Sequence, residues 1–154
     1  MSGSVVGVDF GTSGVRVVVV DTASGEQKGV SGAGFPRWES GEFCDPGRQV
    51  YRQHPRELID AFRAAVTDAL SQVSLEERGS VRALSVDTTG SSPTAIGPDG
   101  RPLALTPEFA ANPEAMVILW KDHSSEAEAL ELEKALGEPY SSEWFWAKVL
   151  SSKR

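Results

Sequence analysis

The sequence has little of the chemistry that builds disulfide-stapled or zinc-stabilised domains. Its 154 residues include one cysteine, Cys44, and two histidines, His54 and His123. A single cysteine forms no internal disulfide, and structural zinc sites need several cysteine or histidine ligands. Stability must therefore come from a hydrophobic core, and a chain of this length is sufficient for one compact domain.

Positive charge and long apolar runs are also scarce. Lysine and arginine number 15 against 22 aspartate and glutamate residues, which gives a net charge of −7. Nucleic acid and anionic membranes both repel such a surface, so neither is an expected partner. No apolar run approaches the roughly 20 residues that cross a bilayer, and the amino terminus lacks the pattern of a secretion signal. We therefore expect a soluble cytoplasmic protein.

The first forty residues have the pattern of β-strands. Residues 5–10 are mostly apolar, and residues 15–21 contain four consecutive valines. β-Branched residues at this density favour buried strands over helices. Glycine-containing turns at 11–14 and 22–25 separate these strands from each other and from a third strand at 27–35. The chain is therefore predicted to open as an antiparallel meander.

The hydrophobic period changes after residue 51 and predicts a helix followed by further strands. Pro55 suits the first turn of this helix, and its apolar residues recur at steps of three and four. The stripe consists of Leu58, Phe62, Val66, Ala69 and Val73. Residues 82–87 are predicted to form a buried strand, and Asp99-Gly100 a hairpin turn.

Two helices are predicted in the last thirty residues. Ser125 and Glu128 have the spacing of a capping box, and Gly137 is a suitable stop for the helix that follows them. A last amphipathic helix is predicted to begin near Ser142. Strands followed by a helix, more strands and more helices indicate an α/β or α+β fold class.

The turn after the first strand has the composition of a phosphate-binding loop. Asp9 ends the strand, and Gly11, Thr12, Ser13 and Gly14 follow. Two glycines allow several backbone N–H groups to converge on one point, which is the geometry that holds a phosphate. A carboxylate at this position is useful as a ligand of Mg²⁺, directly or through a coordinated water. An ordinary hairpin with an aspartate bonded to its own turn is the alternative.

A second turn of similar composition follows the strand at 82–87. Asp87, two threonines, Gly90 and Ser91 again combine an acid, hydroxyl groups and a glycine. If both strands belong to one sheet, the two turns lie along one edge, where α/β sheets tend to bind ligands. A polar turn without a function is the alternative.

Aromatic and charged residues near position 120 indicate a polyol site. Trp120, Lys121 and Asp122 combine an apolar ring with side chains that hydrogen-bond hydroxyl groups, which matches the mixed surface of a sugar. The alternative is that the aromatic residues fill an interface between a helix and the sheet. His54 is predicted to cap a helix rather than to act as a base, and Cys44 is predicted to take no part in chemistry.

An ordered series of segments resembles the FGGY group of actin-like sugar kinases, and within it the ribulokinases. The segment Asp-Phe-Gly-Thr-Ser-Gly-Val-Arg at 9–16 is similar to the first phosphate loop of that group. The further segments that resemble ribulokinases lie at 36–38, 41–45, 86–93, 107–116, 119–123 and 140–148. The resemblance extends over nearly all of residues 5–150.

This resemblance implies a ribonuclease H-like (actin-like ATPase) α/β fold and a set of site residues. The turn that faces the phosphates of ATP and the Mg²⁺ ion falls on Asp9, Gly11, Thr12 and Ser13, with Asp9 as the metal position. The sugar-contacting residues fall on Gly90, Ser91, Trp120, Lys121, Asp122 and Tyr140. The implied reaction is ATP-dependent phosphorylation of L-ribulose to L-ribulose 5-phosphate, a step of arabinose catabolism.

The chain departs from this family in length. Ribulokinases are longer chains of two actin-like domains, and residues 1–154 resemble only the beginning of the first. The family's catalytic aspartate and its second, nucleotide-binding domain have no counterpart here. We therefore expect a truncated or split kinase that is inactive alone and whose complement is a separate C-terminal kinase chain. The alternatives are a non-catalytic pseudo-kinase module that binds a sugar or a protein partner, and an FGGY kinase for xylulose or glycerol.

Overall fold

A computed structural model describes residues 3–137 and 145–153. The strands in this part of the chain are β1 Ser4–Phe10, β2 Gly14–Asp21, β3 Gln27–Gly34, β4 Cys44–Asp45, β5 Val50–Gln53, β6 Val81–Thr88 and β7 Val117–Ile118. The helices are α1 Pro36–Glu39, α2 Pro55–Ser71, α3 Leu75–Gly79, α4 Glu126–Leu136 and α5 Phe145–Lys153. Among the described helices, none is long and apolar enough to span a membrane.

The chain divides into two compact units. Unit 1 consists of Met1–Pro36 and Glu57–Thr89, and unit 2 consists of Arg37–Arg56 and Gly90–Arg154. Because each unit is built from two separate stretches of sequence, a strand or turn near a junction belongs to one unit while its neighbour in sequence belongs to the other.

Unit 1 contains a four-stranded sheet in the order β3-β2-β1-β6. β1, β2 and β3 form the predicted antiparallel meander, and β6 pairs with β1 in parallel. Side chains of a strand alternate between its two faces, and alternate residues of β1 and β2 are accordingly buried. These core residues are Val6, Val8, Val15, Val17 and Val19.

Helix α2 packs unusually close to the sheet. Its buried centre consists of Ala61, Ala65 and Ala69. Leu58 and Phe62, which the sequence predicts for the buried stripe, are only half-buried. A Cβ placed on Gly29 of β3 would lie 2.3 Å from the carbonyl oxygen of Ala69, so only small side chains fit between these backbones. The helix is confirmed, but its innermost residues are alanines.

The prediction that residues 82–87 form a buried strand is half wrong. The strand exists as β6, but it lies at the edge of the sheet, and Leu84 and Val86 are 48% and 54% exposed. An apolar strand of this kind is typical of a sheet covered on both faces and paired on both sides. Within the described residues, β6 pairs with β1 alone, so the sequence pattern predicted burial that this part of the chain does not supply.

Unit 2 contains a small three-stranded sheet in the order β4-β5-β7. The sequence predicts no element between the strand at 27–35 and the helix that contains Pro55, whereas the structure places α1, β4 and the start of β5 there. β5 and β7 pair antiparallel, with Arg52 opposite Ile118. A separate apolar cluster in this unit consists of Ala104, Ala115 and Met116 with Phe43, Leu103 and Phe109 packed against them.

The hairpin predicted at Asp99-Gly100 forms only its turn. Gly100 has a φ of 76°, the left-handed conformation that glycine adopts without strain. The N–H of Gly97 donates to the carbonyl oxygen of Arg101 at 2.8 Å. The flanking residues form one isolated bridge, between Ile96 and Pro102, instead of two strands. Local turn chemistry was therefore predicted correctly, but strand pairing was not.

Helix α4 ends at Gly137 as predicted, with Gly137 in the left-handed conformation at φ 67°. The capping box predicted for Ser125 and Glu128 is absent, because Ser125 makes no side-chain cap hydrogen bond. Its backbone, at φ −102° and ψ 20°, is not in the extended conformation typical of a capping serine. The predicted start of the last helix near Ser142 lies outside the described residues.

Candidate functional site

In unit 1 the carboxyl ends of β1 and β6 lie side by side. Asp9 is opposite Asp87 and Phe10 is opposite Thr88 in the parallel register. The N–H of Thr89 donates to the carbonyl oxygen of Phe10 at 3.3 Å. The turn that begins after Phe10 and the segment that begins after Thr88 therefore leave the sheet at the same edge, as the sequence predicts.

The two glycines of the first turn are there for different reasons. A Cβ on Gly14 would lie 2.6 Å from the carbonyl oxygen of Ala33, so the pairing of β2 with β3 requires glycine at this position. A Cβ on Gly11 would make only an ordinary contact, 3.5 Å from the carbonyl oxygen of Gly14. Packing does not explain Gly11. Close approach of a ligand to the backbone is a general reason for glycine at an open position, and for Gly11 it stays a prediction.

The rest of the turn offers hydroxyl groups and a backbone hydrogen bond that fixes its shape. The N–H of Gly11 donates to the carbonyl oxygen of Gly14 at 2.9 Å, which closes the turn. The carbonyl oxygen of Ser13 accepts from the N–H of Phe35 at 3.0 Å. Thr12 is half-buried, and Ser13 is exposed. Both hydroxyl residues therefore belong to an ordered turn that is anchored to β3's end.

Asp9 forms an ion pair across the strands with Arg16. The two residues are register partners on β1 and β2, and the Arg16 guanidinium contacts Oδ2 of Asp9. The side chain of Asp9 is 41% exposed and that of Arg16 is 79% exposed. With Asp87 they line an open cavity of about 380 Å³. The sequence interpretation assigned Asp9 a role but missed its arginine partner.

In unit 2, Asp122 is buried beneath the turn that the sequence marks as a polyol site. Its carboxylate accepts from the N–H of Tyr51 at 2.7 Å and from the N–H of Ser124 at 3.1 Å. The Arg52 Nε lies 3.0 Å from Asp122 Oδ2, and the two side chains are 2% and 0% exposed. Asp122 therefore joins β5 to the segment after β7, and its direct contact with a sugar stays a prediction.

Lys121 lies over two aromatic rings. Its Nζ is 4.2 Å from the centroid of the Tyr51 ring and 5.1 Å from that of Trp38. A cation over a ring face is attracted by the ring's quadrupole. Trp120, the preceding residue, is 44% exposed. The sequence interpretation placed these charged and aromatic groups in a site but missed the contributions of Trp38 and Tyr51, since both precede Lys121 by more than sixty residues.

The second predicted turn enters unit 2 at Gly90 and Ser91, which are both exposed. No atom lies within 4 Å of a Cβ placed on Gly90, so packing does not require glycine there. Ser91 has a φ of 53°, a left-handed conformation that residues with a side chain adopt at a cost. Tyr140, the remaining predicted sugar contact, lies outside the described residues.

The prediction for His54 is confirmed. Its Nδ1 accepts from the N–H of Arg56 at 3.1 Å in the first turn of α2, and its Nε2 lies 3.2 Å from the carbonyl oxygen of Ala110. Burial, together with the positive charge of Arg37, lowers the pKa of His54 from its ordinary value of 6.5. Among the described residues, no group of three or more acidic, histidine or cysteine side chains is arranged to hold a metal ion.

Comparison with known proteins gives matches in sequence and in structure, although no protein-family model matches the chain. Among solved structures, a xyloylose kinase from Brucella ovis superposes with a TM-score of 0.65 at 23% identity, over 89% of this chain and 24% of that one. A gluconate kinase from Lactobacillus acidophilus superposes with a TM-score of 0.65 at 19% identity, over 89% and 23%. The α/β fold of the FGGY sugar kinases is therefore confirmed for this chain.

The curated proteins that match in sequence narrow the relationship. A ribulokinase from Vibrio parahaemolyticus is 40% identical over 94% of this chain and 28% of its own length. A ribulokinase from Mycolicibacterium smegmatis is 32% identical over 95% and 29%. The chain is thus related to the ribulokinases, as its motifs predict, and it spans less than a third of the length of these relatives.

Proposed function

We propose that this chain forms part of an ATP-dependent kinase that phosphorylates L-ribulose to L-ribulose 5-phosphate. One observation carries the proposal: Asp9 and Asp87 are register neighbours near the ends of two parallel strands. The turn beside them contains Gly11, a position where packing alone does not require glycine. Adjacent strand ends with exposed acids and a glycine turn are a suitable place for phosphate and Mg²⁺. The ribulokinase relatives support the choice of sugar.

The residues of the first turn fit a nucleotide phosphate. Gly11 leaves the backbone accessible, and Thr12 and Ser13 supply hydroxyl groups beside it. Mg²⁺ usually binds proteins through one or two carboxylates and keeps several waters, so the lack of a three-ligand cluster in the described residues does not count against it. Arg16 contacts Oδ2 of Asp9, and Asp9 would hold the ion directly or through a coordinated water. When bound, Mg²⁺ neutralises charge on the transferred phosphoryl group.

The predicted sugar contacts lie in unit 2. Trp120 presents an exposed ring, and the next residue, Lys121, places its ammonium group over the rings of Tyr51 and Trp38. Gly90 and Ser91 offer an open backbone and a hydroxyl group. We propose that these residues, with Tyr140, contact the sugar, and that Asp122 holds the Trp120–Lys121 segment in place from below.

Substrate positioning and proton transfer are proposed to be carried out by different parts of the kinase. Phosphoryl transfer to a sugar needs a carboxylate that accepts the proton of the attacking hydroxyl, and general-base catalysis contributes about 10²- to 10⁴-fold in rate. The described acids near the two turns are Asp9, paired with Arg16, and Asp87, at the end of β6. We propose that residues 1–154 position substrates and that a C-terminal kinase segment supplies the base and completes the adenosine pocket.

A complementation assay tests this proposal. The 154-residue chain is mixed with a polypeptide carrying the remainder of the Vibrio parahaemolyticus ribulokinase, and ADP formation is measured with and without L-ribulose. We expect ribulose-dependent ADP formation in the mixture, its loss with Asp9→Asn, and none from either polypeptide alone. Robust turnover by the 154-residue chain alone would contradict the division of labour.

A binding titration separates the alternatives. If the mixture forms no ADP while the chain still binds L-ribulose, a non-catalytic sugar-binding module is the better explanation. Titrations with L-ribulose, D-ribulose, xylulose and glycerol identify the sugar, and preference for xylulose or glycerol would assign the chain to a different FGGY activity. Absence of binding to all four sugars and to Mg·ATP would refute the proposed function.

A further inference from the structure

Lys148 of α5 is buried although it carries an ammonium group. Its residue is 1% exposed. Its Nζ donates to the carbonyl oxygen of Leu119 at 2.9 Å and to those of Ser91 and Trp120 at 3.3 Å each. Burying a charge is unfavourable unless hydrogen bonds replace the lost water, and here backbone carbonyl groups do so.

These three carbonyl groups come from two distant stretches of the sequence. Leu119 and Trp120 form one side, 28 or more residues before Lys148, and Ser91 forms the other, 57 residues before it. Both stretches carry predicted sugar contacts. A single side-chain atom therefore connects the two halves of the proposed sugar site within unit 2.

The contact is not needed to bring the two stretches together. The N–H of Ile118 already donates to the carbonyl oxygen of Pro93 at 2.8 Å, which joins the same segments one or two residues away. What Lys148 adds is a constraint on the conformation of the two turns themselves. Ser91 is in the left-handed region at φ 53°, and Lys148 donates to the carbonyl oxygen of this residue. Such a conformation persists when neighbouring groups hold it.

We propose that Lys148 is a positioning residue for the sugar site: its buried ammonium fixes the Ser91 turn and the Leu119–Trp120 turn relative to each other, so that both face one ligand. This inference rests on the proposed function for the identity of the ligand, a ketopentose. It does not rest on it for the geometry, which concerns the two turns alone.

Lys148→Met tests the inference, because methionine keeps an unbranched side chain of similar length and removes the donors. The matched control is Lys153→Met, which changes an exposed lysine on the same helix. In calorimetric titrations of the full chain with L-ribulose, we expect Lys148→Met to weaken binding about tenfold or more, since small displacements of contacting groups cost this much. Lys153→Met should leave the affinity unchanged, and Lys148→Arg, which keeps the charge and donors, should recover part of the loss.

Amide NMR separates positioning from general stability. In Lys148→Met we expect the largest shift changes at residues 91–92 and 119–121, with smaller changes in unit 1. Unchanged shifts at both turns would overturn the inference, whatever the affinity. If the unsubstituted chain binds neither the sugars nor Mg·ATP, the proposed function fails, and these shifts still decide whether Lys148 orders the turns.

A measurement on the unsubstituted chain covers the case in which Lys148→Met does not fold. The Nζ protons of Lys148 should exchange slowly with water and show through-space contacts to residues 91 and 120, whereas the Nζ protons of Lys153 should exchange too fast to observe. Rapid exchange at Lys148 would overturn the inference.

Discussion

Each of the two units contains an aspartate–arginine pair, and the two pairs differ in exposure. In unit 1, Asp9 and Arg16 are 41% and 79% exposed at a strand end. In unit 2, Asp122 and Arg52 are 0% and 2% exposed, and Asp122 also accepts two backbone hydrogen bonds. The same two residue types therefore do different work.

The difference indicates which acid is available to a ligand. An exposed pair is screened by water and contributes little to folding, so its carboxylate exchanges partners easily. A buried pair is expensive to break, because the remaining charge is left without compensation. Asp9 is thus suited to bind a ligand such as Mg²⁺, and Asp122 is suited to hold the segment that carries Trp120 and Lys121 in place.

The largest effect is expected from breaking the buried pair. Asp122→Ala leaves the Arg52 guanidinium without its nearest carboxylate and should lower the free energy of unfolding by about 3–5 kcal/mol. All four tryptophans belong to unit 2, so urea unfolding followed by tryptophan fluorescence reports on this unit directly.

The double variant Arg52→Met/Asp122→Asn is the control for that experiment. It removes both charges, and the asparagine amide oxygen keeps one acceptor for the N–H of Tyr51, so it should recover part of the stability. A loss below about 1 kcal/mol for Asp122→Ala alone would mean that the pair behaves like an exposed one and would remove the contrast between the units.

The next effect concerns the backbone packing of unit 1. Gly29→Ala places a Cβ 2.3 Å from the carbonyl oxygen of Ala69, so α2 must move away from the sheet. We expect a loss of about 1–3 kcal/mol, the usual cost of overpacking. Gly79→Ala, where a Cβ meets no atom within 4 Å, is the matched control and should change stability little. Equal melting temperatures for both variants would show that the approach of Ala69 to Gly29 leaves room for a methyl group.

The units should also differ in their response to pH. Burial lowers the pKa of His54, and so do the positive charges of Arg37 and Arg56. The Ala110 carbonyl and Glu42 raise this pKa, but the net shift is downwards from 6.5. The folded state therefore binds protons less readily than the unfolded state, so stability is complete above about pH 6.5 and falls as the pH decreases below it. His54→Asn keeps a capping acceptor without the titration, and its fluorescence-detected stability should be flatter between pH 7.5 and 5.

Unit 1 should lose stability in a lower pH range. Hydrogen bonds from Ser24 lower the pKa of Asp21 from 3.8, and hydrogen bonds from Ser74 lower that of Glu77 from 4.5. Both carboxylates favour folding when ionised, so their contribution is present above these values and is lost as the pH falls below them. The protection factors for amide exchange in β1 and β2, which are corrected for the intrinsic effect of pH on exchange, should therefore be unchanged at pH 5.5, where those of residues near His54 already fall. Parallel changes in both units at pH 5.5 would contradict this difference.

The smallest effect on stability is expected from the exposed pair. Asp9→Asn should change the free energy of unfolding by less than about 1 kcal/mol, because surface ion pairs contribute little. The same variant should weaken Mg·ATP binding, since it removes the proposed carboxylate beside the phosphates. A large loss of stability with unchanged nucleotide binding would reverse the assignment of the two pairs.

Local patterns predicted unit 1 better than unit 2. The valines of β1 and β2 and the glycine turn between them follow from alternation and turn chemistry, which depend on neighbouring residues. The predicted stripe of α2 contains Ala69 but not Ala61 and Ala65, because the innermost face of the helix depends on how closely the Gly29 backbone approaches, which no periodicity records. The exposure of β6 was missed for a related reason. It depends on the position of β6 at the edge of the sheet, and the composition of a single strand does not determine its position in the sheet.

The site in unit 2 was predicted by residue type and missed in arrangement. Trp120, Lys121 and Asp122 are adjacent in sequence, yet Trp120 is exposed, Lys121 lies over Tyr51, and Asp122 is buried against Arg52. Their partners come from β5 and α1, about seventy residues earlier, and a single sequence carries no signal for such pairings. The buried position of Lys148 was not predicted, because burial of an ammonium group is visible only in three dimensions.

The burial of Lys148 gives the protein a built-in chemical reporter. The sequence has five lysines, and an acylating reagent modifies a lysine amine only after the amine has lost its proton and is accessible to the reagent. Brief labelling of the native chain should spare Lys148 while it modifies Lys153. Peptide mass analysis of the extent of labelling at Lys148 then reports how often its hydrogen bonds to the turns around residues 91 and 120 are broken. The acylation ratio of these two side chains would thus monitor, without any substitution, how additives, sugars or a second polypeptide change the order of the region.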